Sequence, residues 1–145
     1  MTYSLDLSQQ QFIDTLAAEF VQPAFEIAIP EPNTVRRNAA GTIEPYITYQ
    51  FGDISDGYSE TFAGATSNDF WLPFYIQAIA GDAATARRMG NKLVRVFLGD
   101  THEFGGQVRK RFGGSIFTVA NADGTVVAYI FPVSLGVKIQ LFDNV

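Results

Sequence analysis

The chain contains no cysteine, and this absence excludes several kinds of chemistry. Disulfide bridges, thiolate nucleophiles, thiol redox reactions and cysteine-rich zinc sites all need that side chain. Histidine occurs once, so the paired imidazoles of many catalytic zinc sites are missing as well. The composition therefore fits a protein of a reducing compartment, and we expect it to be made in the cytoplasm.

Long apolar runs and a surplus of positive charge are also lacking. No stretch approaches the roughly 20 apolar residues of a transmembrane helix, and residues 1–4 do not begin a basic or apolar leader. We therefore expect no membrane contact. Ten Lys and Arg residues stand against fifteen Asp and Glu, for a formal net charge of −5. That balance argues against a dedicated nucleic-acid-binding protein.

Apolar residues are plentiful, at 47% of the 145 residues, and this length suits one domain spanning residues 1–145. Two segments show helical periodicity. The first begins at a predicted capping box, Ser8 to Gln11, and carries an apolar stripe of Phe12, Leu16 and Phe20. The second follows Asp82 as N-cap and extends to Leu98. It places Ala86, Met89, Leu93 and Phe97 on one face and Arg87, Arg88, Asn91 and Arg95 on the other.

Strand patterns occupy most of the remaining chain, at residues 25–29, 45–51, 70–80, 115–120, 126–131 and 137–141. Asp123-Gly124 favours a tight hairpin between two of them, and residues 132–136 are predicted to form a bend or a bulge. Pro73 lacks an amide hydrogen, so we expect it at a sheet edge or a bulge. Together the elements predict an α+β fold, a mostly antiparallel sheet with two helices packed on it.

One segment concentrates catalytic residue types, namely Asp100, Thr101, His102 and Glu103. Neighbouring loop side chains point in divergent directions, and a lone histidine offers one ligand only, so we interpret the segment as a solvated loop. Trp71, Phe74 and Tyr75 are interpreted as core residues, since a base-stacking platform would carry interleaved Lys or Arg. The sequence predicts no catalytic residue, no metal site and no cofactor.

Positive charge is clustered at two places that we interpret as partner-binding loops, Arg36-Arg37 and Arg109-Lys110-Arg111. The second cluster lies between two Gly-Gly pairs, but a strand follows where a phosphate-binding loop needs a helix. Contact with a partner protein is the first interpretation. Contact with a nucleic-acid backbone and a plain solvated loop remain open.

The order of elements resembles the tail terminator proteins of long-tailed (siphovirus-type) bacteriophages, especially actinobacteriophages. The resemblance lies in the strand at 45–53 (PYITYQFGD), the strand at 70–80 and the small-residue helix start at 81–89 (GDAATARRM). Related folds occur in tail tube and neck proteins.

The resemblance implies a structural virion protein without enzymatic activity. Such a subunit forms a six-fold ring that caps the tail tube, ends tube polymerisation and provides the head–tail joining surface. The implied partners are copies of itself, the major tail tube protein and the neck or head–tail connector protein. Genomic DNA would pass through the lumen without sequence readout. The implied location is the head-proximal end of the virion tail. A tail tube or neck stopper protein is the alternative, and a small cytoplasmic enzyme is a further one.

Overall fold

The computed structural model describes residues 5–27, 42–53, 55–56, 69–98, 108–113 and 115–140. This part of the chain forms two helices and seven strands, so the predicted α+β fold is confirmed. The helices are α1 (Leu5–Glu19) and α2 (Ala83–Phe97). The strands are β1 (Ala24–Glu26), β2 (Tyr46–Phe51), β3 (Ser55–Asp56), β4 (Asp69–Ala80), β5 (Arg109–Gly113), β6 (Phe117–Ala120) and β7 (Val126–Gln140).

The sheet is built on one long antiparallel pair, β4 and β7. Their register is unbroken from Asp69 opposite Gln140 to Ala80 opposite Tyr129. The other edge of β4 pairs with β2 along one part of its length and with β3 along another. The other edge of β7 likewise pairs with β6 and then with β5. β1 lies outside β2 and is parallel to it, whereas the other pairs are antiparallel. Short strands therefore flank a central long ribbon on both sides.

Two prolines lie inside the central pair, and the predictions for both were partly wrong. Pro73 is not at a sheet edge, but the register along β4 shifts by one residue between the pairs Phe51–Phe74 and Ser55–Trp71, on either side of it. Residues 132–136 do not bend but continue β7, and the irregularity there lies on the partner strand, at Arg111 of β5. Gly52 donates to the Pro73 carbonyl at 3.1 Å, just beyond the end of β2. Because the amide and carbonyl of one strand residue point to the same side, the missing Pro73 amide faces the break between β2 and β3. Pro132 occupies the corresponding break on β7, between Ile130, which pairs with β6, and Val133, which pairs with β5.

Both helices pack on one face of the sheet. Phe12 of α1 lies 4.4 Å from Phe74 of β4 and 5.7 Å from Phe97 of α2, measured between ring centroids. The predicted stripe of α1 is buried, but its predicted start is wrong. The helix begins at Leu5, and Ser8 is buried within it because the apolar stripe turns that side towards the core.

Helix α2 matches its prediction closely. Asp82 is its N-cap, and its carboxylate accepts hydrogen bonds from the Thr85 amide and the Thr85 hydroxyl, each at 2.8 Å. The residues expected to face the sheet, Ala86, Met89, Leu93 and Phe97, are all buried. Gly90 is buried too, and α2 packs against β4 and β7.

Candidate assembly surfaces

The basic cluster Arg109-Lys110-Arg111 is not a loop, which corrects the prediction for these residues. It forms most of β5, an edge strand that pairs with residues 133–136 of β7. Arg109 lies opposite Gly136 and is exposed, Lys110 lies opposite Leu135, and Arg111 is skipped in the ladder at a register shift. The cluster has no alternating apolar residues, so its sequence gives no strand pattern. It is a strand because β7 extends beyond β6 and would otherwise leave backbone groups unpaired.

Other predicted residues fall outside the described ranges. Arg36 and Arg37 lie there, as do Asp100, Thr101, His102 and Glu103. Within the described residues, no three His, Asp or Glu side chains come together as a metal site would require. Neither helix described here is long and apolar enough to cross a membrane.

The hairpin of β6 and β7 forms an exposed apolar edge. Its turn closes as predicted, with the Asn121 amide donating to the Thr125 carbonyl at 2.8 Å and Gly124 at a φ of 88°. All four residues of β6 are exposed, and the exposed set includes Phe117 and Val119. An edge strand usually carries charge or proline that prevents pairing with another chain. β6 has neither, and none of the described strands pairs with its outer edge.

The sheet face opposite the helices is partly covered. Ile43, Ile79 and Ala128 form a small buried cluster there, with Tyr46 and Ile130 packed against it. Trp71 and Tyr75 were predicted to be core residues together with Phe74, but only Phe74 lies in the main core, whereas Trp71 and Tyr75 are half-buried on this second face. They alternate with the core-facing residues of β4, and strand alternation explains the difference.

Positive and negative side chains lie on different helices, with basic residues on α2 and acidic residues on α1. The sequence analysis assigned no role to this distribution of charge. α2 carries Arg87, Arg88, Lys92 and Arg95 and no acidic residue. Residues 5–27 carry Asp6, Asp14, Glu19 and Glu26, all exposed, and no basic residue. The absence of Asp and Glu from residues 83–97 was visible in the sequence, but the position of the two charged surfaces beside each other required the fold.

Among the residues that the structure describes, four titratable groups show a shifted pKa. Burial raises the pKa of Tyr46, and burial together with the nearby Glu26 carboxylate raises that of Tyr49. Hydrogen bonds from Thr85 lower the pKa of Asp82, and the Thr125 amide lowers that of Asp123. These carboxylates cap a helix and a turn and are exposed, so the shifts reflect local structure rather than a reaction site.

The described features are thus open strand edges and charged helix faces, which suit contacts with other proteins. Comparison with known proteins provides no family, because no family model and no curated protein matches the chain.

Proposed function

We propose that this protein is a structural subunit that caps the tail tube of a long-tailed bacteriophage as a homo-hexameric ring. In this role it ends tube polymerisation and provides the surface that joins the tail to the head. Its partners are copies of itself, the major tail tube protein and the neck or connector protein. It acts without catalysis, and the phage genome passes through the ring without being read.

The observation that carries this proposal is the resemblance of residues 45–98 to tail terminator proteins. Those residues contribute β2, β4 and α2, which pack together at the centre of the molecule. The resembling segment therefore supplies one strand of the central β4–β7 pair, its neighbour β2 and the helix that packs on β4.

The open sheet edges support an assembly role. A ring is a closed heterologous assembly, so each subunit needs two different surfaces that fit each other. Among the described strands, the sheet ends in β1 and β3 on one side and in β5 and β6 on the other. The two sides differ in sequence and exposure, as a head-to-tail contact requires.

Electron microscopy and native mass spectrometry of the protein, alone and with tail tube protein, test the proposal. We expect single six-membered rings on tube ends, and tubes that stop growing when the protein is added. Long tubes formed by the protein alone would favour the tail tube alternative. A stable dimer under both conditions would contradict the proposal.

A further inference from the structure

Helix α2 presents a strongly basic surface in an acidic protein. It holds four of the ten Lys and Arg residues of the chain. Arg87, Arg88 and Arg95 are exposed and fall within an arc of about 100° around the helix axis. Since α2 contains no acidic residue, no i, i+4 ion pair within the helix neutralises this surface.

The surface of α1 has the opposite sign. Asp6 and Asp14 are exposed on its solvent side, and Glu19 is exposed at its end. The same side of the helix exposes Leu7, Gln10 and Ala18. Acidic groups and apolar side chains thus share this surface.

The two helices lie side by side on one face of the sheet, and the charged surface of each points away from that sheet. α2 covers β4 and β7, whereas Phe12 of α1 reaches Phe51 of β2 at 6.2 Å. Lys92 joins the helices, because its Nζ donates to the Glu19 carbonyl at 2.6 Å and lies 4.7 Å from the centroid of the Phe20 ring. A second copy placed alongside, in the same orientation, would bring its α1 towards the α2 of the first.

We infer that the basic surface of α2 docks on the acidic surface of α1 in the next copy around the ring. The inference rests on the proposed ring and names the contact that builds it. Charge complementarity selects the occupant: the surface that fits α2 is already present on the chain, and one copy supplies one of each. Each surface also exposes a leucine, Leu98 three residues after Arg95 and Leu7 next to Asp6 in the sequence, which adds apolar contact.

Nucleic acid is the other occupant that a basic helix can attract. A helix that binds phosphate loses affinity steeply with salt and does not depend on α1. Dependence on the acidic helix is therefore the property that separates the two.

Cysteine cross-linking tests the contact directly, because the natural chain has no cysteine that would compete. Gln10→Cys and Asn91→Cys place one thiol on each exposed helix surface. After mild oxidation, a mixture of the two single variants is expected to form a cross-linked heterodimer, and the double variant is expected to form a ladder up to six chains. Gln50→Cys, exposed on the other sheet face, is the control and should not cross-link to either.

Charge reversal tests the cause of the contact. Arg88→Glu with Arg95→Glu, or Asp6→Lys with Asp14→Lys, should each lower the yield of the ladder at least tenfold, because like charges then meet. Mixing the two reversed proteins should restore cross-linking, since each then presents a surface that fits the other. The control is Lys138→Glu, which reverses one exposed charge on β7 and should leave the yield of the ladder unchanged. Its matched variant is the single reversal Arg95→Glu, which should lower that yield. Thermal unfolding must show that every variant is folded.

Each outcome decides the inference. Rings on tube ends whose cross-linking ignores both charge reversals would overturn the α1–α2 contact and leave the proposed function standing. Cross-linking that stops at dimers in the double variant would overturn the head-to-tail arrangement. Intact rings combined with loss of binding to a DNA fragment in the α2 variant would assign the basic surface to nucleic acid instead. A ladder that is lost in each variant and restored in the mixture supports the inference.

Discussion

Leu93 is the side chain through which α2 is anchored to the sheet. It is fully buried in the core cluster. Truncation to alanine removes apolar burial and leaves a cavity, so Leu93→Ala should lower the free energy of unfolding by about 2 to 5 kcal/mol. Denaturant unfolding measures this change. Asn91→Ala, on the exposed side of the same helix, is the matched control and should be nearly neutral. Equal effects of the two variants would contradict the assignment of the helix face.

Gly90 illustrates how packing reverses a helix preference. Alanine in place of glycine inside a helix ordinarily stabilises it by about 1 kcal/mol. A Cβ at Gly90 would overlap the ring of Phe131 on β7, so the ring would have to move. We therefore expect Gly90→Ala to lower the unfolding midpoint, because overpacking costs about 1 to 3 kcal/mol.

A double-mutant cycle identifies the cause. In a Phe131→Leu background the ring is absent, so Gly90→Ala should be less destabilising than in the natural chain. The same loss in both backgrounds would show that the close approach of helix and strand is not the reason for glycine at this position.

At the level of elements, the N-cap of α2 makes stability depend on pH. The Thr85 amide and hydroxyl hold the pKa of Asp82 below its ordinary value in the folded protein. Because the pKa of Asp82 is lower in the folded than in the unfolded protein, its charged form stabilises the fold at pH values above the unfolded-state pKa, which is near 4. This stabilisation is lost as the pH falls through the folded-state pKa.

Asp82→Ala should therefore unfold more easily than the natural chain at neutral pH, and the difference should narrow as the pH falls below about 4. Asp82→Asn keeps a capping oxygen without an ionisable group and should lose less stability at neutral pH. Unfolding midpoints at several pH values measure this difference. A deficit of Asp82→Ala that stays constant down to pH 3 would contradict the role of the charged cap.

The elements that the sequence predicted well are those with strong local patterns. α2 has an N-cap and a clear apolar stripe, and β2 and β4 have long apolar runs, so the predicted and observed bounds agree closely. β5 was missed because its strand state follows from pairing with β7 and not from its own residues. The two prolines misled for a similar reason: whether a missing amide disrupts a strand depends on which neighbour it faces, and the breaks between short strands appear only in the assembled sheet.

For the candidate surfaces, too, the sequence predicted some features and the rest became visible only in the fold. The basic residues of β5 were found as charges but assigned to a loop. The basic residues of α2 were placed on the helix face opposite the apolar one and given no role, because their significance depends on the acidic α1 beside them. Local sequence thus identifies charges, and the tertiary structure determines which charges can act together.

At the scale of the whole molecule, Arg109, Lys110 and Arg111 place positive charge on a sheet edge that is available to partners. Arg109 is exposed, and exposed charges contribute little to stability. Because threonine also favours strands, replacing all three residues by threonine should change the free energy of unfolding by less than about 1 kcal/mol. If these residues contact a neighbouring subunit or the DNA in the channel, the same variant should impair the joining of tails to heads.

A complementation assay for infectivity, run beside thermal unfolding, measures both effects. The control variant Lys138→Thr removes one exposed positive charge from β7, outside the β5 cluster, and should preserve infectivity. Charges on an edge strand also oppose unwanted strand pairing, so size-exclusion chromatography must show that the triple variant does not aggregate. A folded, soluble triple variant with lowered infectivity is the expected result. Full infectivity would show that β5 has no role in joining, and loss of folding would show that its charges stabilise the sheet edge.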